Sequence, residues 1–173
     1  ALLAQVGMPN ARLKAAITAG ELNAYGQDTI EFLFDANKSN QFAPVGKVAS
    51  GGELSRLMLC IKSLVAQSVA LPTLIFDEID TGISGEAARQ VGVILKGLAK
   101  SHQVICITHQ PQIAGKADAH YFVYKDAGAD KVTTSVRLLS AAERVNKIAQ
   151  MLSGEKPTAA ALENAREMLE AGY

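Results

Sequence analysis

The sequence predicts an α/β fold: a parallel sheet flanked by helices, with extra antiparallel strands on either side of it in the chain and a helical C-terminal tail. Three observations predict it. First, two short, continuously apolar runs, Thr73-Leu74-Ile75-Phe76 and Val104-Ile105-Cys106-Ile107-Thr108, bracket a helical pattern from Ser84 to about Lys100. That is a βαβ unit with parallel strands, and runs this apolar are expected of strands covered on both faces. Second, Leu54, Leu57, Met58, Ile61, Leu64 and Val65 recur every three or four residues between Gly51 and about Ala70, the apolar face of an amphipathic helix. Third, stretches rich in β-branched and aromatic residues precede and follow this block and read as antiparallel pairs.

In chain order, residues 11–18 and 29–35 are expected strands, the second being "TIEFLFD". Between them "AGELNAYGQD" carries turn chemistry, and "DANKSNQFAPVG" is a polar loop with Gly and Pro. Pro72 ends the first long helix. After the βαβ unit, residues 120–139 read as two strands around an "AGAD" turn, and 141–172 as two helices split by Ser153-Gly154 and Pro157. Neither an internal repeat nor a low-complexity tract is evident. The expected organisation is a lobe over residues 1–140 with a helical tail, 141–173, packed on it.

The 173 residues are 49% hydrophobic and 20% charged, enough to bury a core and far from the composition of a disordered chain. Lys plus Arg and Asp plus Glu both count 17, so bulk charge gives nucleic-acid binding no support, and the low aromatic content offers no base-stacking platform. Cys60 and Cys106 each sit inside an apolar run, which reads as two small buried hydrophobes in a reducing cytoplasm rather than a disulfide, a nucleophile or metal ligands. No stretch reaches the length of a membrane span, and the first residues lack the basic flank and apolar core of a signal peptide.

Chemistry concentrates in three places. Ser50 and Glu53 form a Ser-x-x-Glu capping box, which explains them without any ligand. Gly51 and Gly52 are different, because two glycines in a first helical turn are poor helix formers and imply that something approaches the backbone closely. Free N–H groups at the positive end of a helix suit an anion such as phosphate. Next, Asp77 and Glu78 end the first apolar strand, where ligands of α/β folds sit, so that one carboxylate can hold a hydrated Mg²⁺ and the other orient or deprotonate a water. Third, Thr108-His109-Gln110-Pro111 ends the second apolar strand, placing His109 beside that pair. His102 and His120 lack such a context. Arg56, Lys62 and Arg89 read as solvated helix faces.

Taken together, Ser50-Gly51-Gly52-Glu53 resembles the signature motif of ABC-type ATPases, and Leu74 to Glu78 resembles their Walker B strand with its glutamate. Asp80 to Gly85, Gly82 included, is similar to the D-loop, and His109 to the switch histidine. Within that superfamily, "VASGGELSRLMLCIKSL", "TLIFDEIDTGISG" and "ITHQPQIA" are most similar to the RecN family of bacterial SMC-like repair ATPases, as are "GMPNARL", "DTIEFLF" and the tail. Two departures from transporter ATPases point the same way: Ala49 and Glu53 at the outer signature positions, and a D-loop without Ser-x-Leu-Asp. No Gly-x-x-x-x-Gly-Lys-Ser/Thr occurs, since Gly46-Lys47 is followed by Val48.

The resemblance implies the C-terminal lobe of an ATPase head, with the Walker A lobe and a coiled coil elsewhere in a longer protein. It implies ATP and Mg²⁺ as cofactors, with two heads sandwiching two nucleotides. Asp77 would help hold Mg²⁺ through water, Glu78 would activate water, and His109 would contact the γ-phosphate. Ser50, Gly51, Gly52 and Glu53 would act on the nucleotide of the opposing head, with Asp80 linking the sites. The implied partners are DNA at double-strand breaks, a second head in a homodimer, and the chain's own Walker A lobe, in the bacterial cytoplasm on the nucleoid and not in a membrane. The isolated lobe is then expected to be inactive. Competing readings are a head lobe of another SMC-like or transporter ATPase, and a non-catalytic scaffold for dimerisation or DNA-end binding.

Overall fold

The computed structural model describes residues 2–48, 50–66, 71–127 and 132–170. In chain order the elements are α1 (Leu2–Gln5), β1 (Arg12–Asn23), β2 (Gly26–Asp35), β3 (Ala43–Pro44), α2 (Val45–Val48), α3 (Gly51–Val65) and β4 (Thr73–Asp77). There follow α4 (Gly85–Leu98), β5 (Gln103–Ile107), α5 (Pro111–Ala114), β6 (Tyr121–Ala127), β7 (Val132–Leu138), α6 (Ala141–Ser153) and α7 (Ala159–Glu170). Antiparallel β1-β2-β3, parallel β4-β5 and antiparallel β6-β7 form three separate sheets. The inner residues of the expected "AGAD" turn, the end of the first long helix at 67–70 and the last residues of the tail lie outside the described residues.

The βαβ unit forms as its pattern predicts. β4 and β5 run parallel from Thr73 opposite Gln103 to Asp77 opposite Ile107, so their carboxyl ends are level. Leu74 and Phe76 point into the core, where the buried faces of α3 (Leu57, Leu59, Cys60) and α4 (Ala88, Val91, Leu95) meet them. Val6, Met8 and Phe34 close the same core from the turn after α1 and the end of β2.

One expectation fails. β4 and β5 are not covered on both faces: Ile75, Ile105 and Ile107 are 56%, 44% and 58% exposed. A continuously apolar strand reports that both faces are fit for burial, and this chain supplies helices for one of them. The β1-β2 hairpin is open in the same way, with Ile17, Ile30 and Phe32 exposed.

That hairpin also reaches further than its expected ends. Much of "AGELNAYGQD" is strand, and the true turn is Asn23-Ala24-Tyr25-Gly26, where Tyr25 N donates to Asn23 Oδ1 at 2.8 Å. At the other end Asp35, 1% exposed, gathers the loop that leads to α3. Its carboxylate accepts from Arg12 Nη2 at 2.9 Å, from the backbone N–H of Asn37, Ser39 and Asn40, and from Ser39 Oγ. Lys38 and Asn40 take left-handed backbone angles (φ 57° and 62°) to bring those N–H groups round. A polar loop is thus given one fixed course toward Ser50.

The tail is an αα-hairpin. α6 opens on a capping box in which Ser140 N donates to Glu143 Oε2 at 2.9 Å. Ile148, Ala149 and Ala165 form a second small core against Ala114 of α5. Arg144 ties α6 to the loop after α5 by donating to Ala117 O at 2.6 Å.

The hydrogen bonds to its backbone N–H groups and the Arg12 guanidinium outweigh burial and hold the Asp35 carboxyl well below the usual carboxylate range. A depressed folded value means stabilisation that is complete above the unfolded value of about 4 and is lost as pH falls below it. Asp35→Asn is therefore expected to lower the melting temperature at pH 7, with the gap to wild type narrowing in thermal melts taken at progressively lower pH.

Candidate functional site

The level carboxyl ends of β4 and β5 gather most of the predicted residues. Along β4, burial alternates so that Asp77 shares the open face with Ile75, and its carboxylate is exposed. The chain then breaks from the strand at Glu78, whose φ of +55° places a non-glycine residue in the left-handed region. Such a conformation costs of order 1 kcal/mol and collects at functional sites. It ends the strand pattern after Asp77 and leaves both neighbouring acidic residues exposed.

After Glu78 the turn is tied down by Asp80, which is 1% exposed. Its Oδ2 accepts from Thr108 Oγ1 at 2.5 Å and from the His109 backbone N–H at 2.9 Å, and lies 3.1 Å from His109 Nδ1. With the Nδ1 proton on the Asp80 side, the other ring nitrogen is left as an acceptor. Gln110 Nε2 lies 3.4 Å from it and donates to Ile83 O at 2.9 Å. Gly82, at φ +73°, lets the turn close. The loops after the two strands are thereby one hydrogen-bonded unit, with the His109 ring largely exposed at its edge. The resemblance implies that Asp80 links two nucleotide sites; the structure buries its carboxylate within this lobe and leaves Thr81 and Gly82 as the exposed part of the turn.

At the start of α3 the capping box is complete, with Ser50 N donating to Glu53 Oε2 at 2.9 Å and Glu53 N to Ser50 Oγ at 3.3 Å. The two glycines separate. A Cβ on Gly51 would meet nothing within 4 Å, so its side of the helix end is open. A Cβ on Gly52 would stand 2.3 Å from Thr81 O. What approaches Gly52 is therefore the chain's own turn, and the reading that both glycines make room for a ligand holds geometrically for Gly51 alone. Ala49 lies outside the described residues.

Of the three cations read as solvated, Arg89 is exposed and pairs with Glu86 at 2.7 Å, and Lys62 lies over the Phe76 ring at 5.1 Å. Arg56 is not solvated. It is 6% exposed and donates from Nη1 to Thr81 O at 2.8 Å, meeting the same oxygen that excludes a side chain at Gly52. A signal for this was available, since Gly52, Arg56 and Cys60 lie four residues apart on one line of the helix. Cys106, behind the site, is an inert thiol: burial first, then Asp80 and Asp77, push its pKa up to about 12.

The donor set fits a nucleotide with Mg²⁺ better than a resident metal. Among the described residues no group of three or more His, Cys, Asp or Glu could hold a metal ion. Mg²⁺ needs no such cage, because it keeps waters and takes one or two carboxylates plus phosphate oxygens. Exposed Asp77 suits that mode, and the open helix end at Gly51 suits a phosphate. No helix among the described residues is long and apolar enough to cross a membrane.

The glycine geometry makes a direct prediction. Gly52→Ala is expected to destabilise the chain by about 1–3 kcal/mol, the scale of overpacking a tight contact. Gly51→Ala, built into open space, is expected to leave the melting temperature nearly unchanged; thermal denaturation compares the two.

No family model matches the chain. Its sequence is 44% identical over 167 residues to DNA repair protein RecN of Rickettsia conorii, covering 96% of this chain and 31% of that protein. It is 43% identical over 170 residues to RecN of Deinococcus radiodurans, covering 98% and 30%. The chain thus spans about a third of the length of the curated relatives it matches. Among solved structures it superposes on the Smc head domain with a coiled coil and joint from Pyrococcus yayanosii at a TM-score of 0.62 and 20% identity, over 98% of this chain and 27% of that one. A second chain, from work on ATP-driven dimerization and DNA-stimulated activation of SMC ATPases, gives 0.55 and 19%, over 91% and 89%. Along nearly its whole length the chain is similar in sequence to part of the RecN DNA repair proteins, and its fold is that of SMC head domains.

Proposed function

We propose that this lobe is half of an ATP-binding and hydrolysing head in a longer RecN-like protein that acts in recombinational repair of DNA double-strand breaks. The observation that carries the reading is the pairing of an exposed Asp77 and an out-turned Glu78 with a switch His109 fixed by Asp80, all at the ends of two parallel strands. A surface with no chemistry to perform has little reason to hold Glu78 at φ +55° or to bury a carboxylate behind a histidine.

In this reading Asp77 would help hold Mg²⁺, Glu78 would orient and deprotonate the attacking water, and His109 would present a ring nitrogen to the terminal phosphate. Bound Mg²⁺ would supply neutralisation of charge on the phosphate oxygens, which is most of what phosphoryl transfer requires beyond positioning. Ser50 and Gly51 offer the open end of α3 to a nucleotide carried by a second head, and Gly52 keeps that end against the turn. The contact across two heads falls to Thr81 and Gly82, because the Asp80 carboxylate is engaged inside its own lobe.

The apolar faces left open on β4-β5 and β1-β2 support a lobe bearing the lysine of a phosphate-binding loop as an intramolecular partner. A second copy of the head and DNA ends are the further partners, and the bacterial cytoplasm, on the nucleoid, is the setting. This chain by itself then turns over no ATP.

The test is steady-state ATP hydrolysis by the longer protein. Glu78→Gln is expected to lower kcat by about 100-fold or more, the scale of a lost general base, with ATP binding retained. Unchanged turnover and unchanged repair in cells carrying Glu78→Gln would favour the non-catalytic scaffold instead. Turnover by these 173 residues alone, abolished by the same substitution, would remove the claim that the site is divided.

A further inference from the structure

We propose that Arg56 is a positioning residue for this site: it locks the turn after β4 to the first turn of α3, so that the signature end of the helix and the Asp80–His109 unit move as one body. The inference rests on the functional reading above and adds a residue to it.

Two observations converge on one backbone oxygen, and a third ties its residue to the site. Arg56 Nη1 donates to Thr81 O at 2.8 Å, and a Cβ at Gly52 would stand 2.3 Å from that atom. Thr81 follows Asp80, whose carboxylate holds Thr108 and His109, and Thr81 N in turn donates to Glu78 O at 3.3 Å. A continuous line of short contacts therefore runs from the open end of α3, through Arg56 and Thr81, to Glu78 on one branch and to Asp80 and His109 on the other. The first end faces a nucleotide on another head, and the second faces the lobe's own.

Arg56 is a poor device for stability alone. It is 6% exposed, and among the described residues no carboxylate lies within ion-pair distance of it. Its Nε is buried without an acceptor. Glu53, one turn back, is its nearest electrostatic support. A buried cation that makes one hydrogen bond to a neutral carbonyl costs desolvation that an apolar side chain of similar length would avoid. What an apolar side chain would not do is fix Thr81 O in place. The guanidinium gives the turn a second anchor, opposite the one that Asp80 provides.

The experiment uses the longer protein that carries this chain, with Arg56→Met, which keeps much of the stem and removes the donors, and Arg56→Lys, which restores a charged donor. The readouts are kcat and KM for ATP, melting temperature, and amide hydrogen exchange over residues 79–83. Arg56→Met is expected to lower kcat by about tenfold or more, the scale of a small displacement of catalytic groups. Its KM should stay within about twofold, since binding in the lobe's own site does not use this contact. Exchange over 79–83 should quicken while the melting temperature holds or rises, and Arg56→Lys should recover most of the lost kcat. Wild-type kcat in Arg56→Met, unchanged exchange over 79–83, or a loss of kcat that follows a lowered melting temperature would each overturn the inference. Wild-type protein that turned over no ATP would instead overturn the functional reading, and this role with it.

Discussion

The Asp80 carboxylate is the interaction on which the rest of the site depends. It is buried, and it spends its hydrogen-bonding capacity on a hydroxyl, a backbone N–H and a ring nitrogen of the loop after β5. Burying a carboxylate is tolerable when its oxygens are satisfied in this way, and the same requirement makes the arrangement specific. Strand pairing brings the two loops to the same end of the sheet; Asp80 makes them one object. Asp77, Glu78, Thr81 and His109 are exposed at that end, beside loops whose inner side is fixed.

The other constraint is one of coverage. The lobe packs helices on one face of β4-β5 and leaves three isoleucines open on the other, and its long hairpin carries Ile17, Ile30 and Phe32 into solvent. Each fully buried side chain of this kind contributes about 1.5–3 kcal/mol, so the faces are a large reserve of association energy for whatever covers them. Under the proposed reading, fixed loops on a half-covered sheet are what a site divided between lobes requires: the geometry is set within each part, and assembly brings the parts into register.

Much of this was legible in the residues. Periodicity located α3, α4 and the strands between and after them, and Ser-x-x-Glu identified the capping box at Ser50, while the matching box at Ser140 went unread. The positions of Asp77, Glu78 and His109 at strand ends followed from βαβ topology. The rest depended on what touches what across the chain. Arg56 looked like a surface cation because charge predicts exposure on average, whereas its helical line with Gly52 and Cys60 decided the matter. Gly52 looked like room for a ligand because a sequence does not show that Thr81 O, from a turn far along the chain, stands in the very space a side chain would take. One-sided coverage was illegible for a similar reason: an apolar strand states what its faces tolerate, not which of them its own chain will cover.

The central claim is that the open end of α3 completes a nucleotide site on another head. Amide hydrogen exchange at Gly51 and Gly52 in the longer protein, followed with and without ATP across a range of protein concentrations, tests it most directly. The account predicts slowed exchange that needs ATP and grows as concentration drives heads together. Protection that never appears with ATP, or that is the same at every protein concentration, would contradict it.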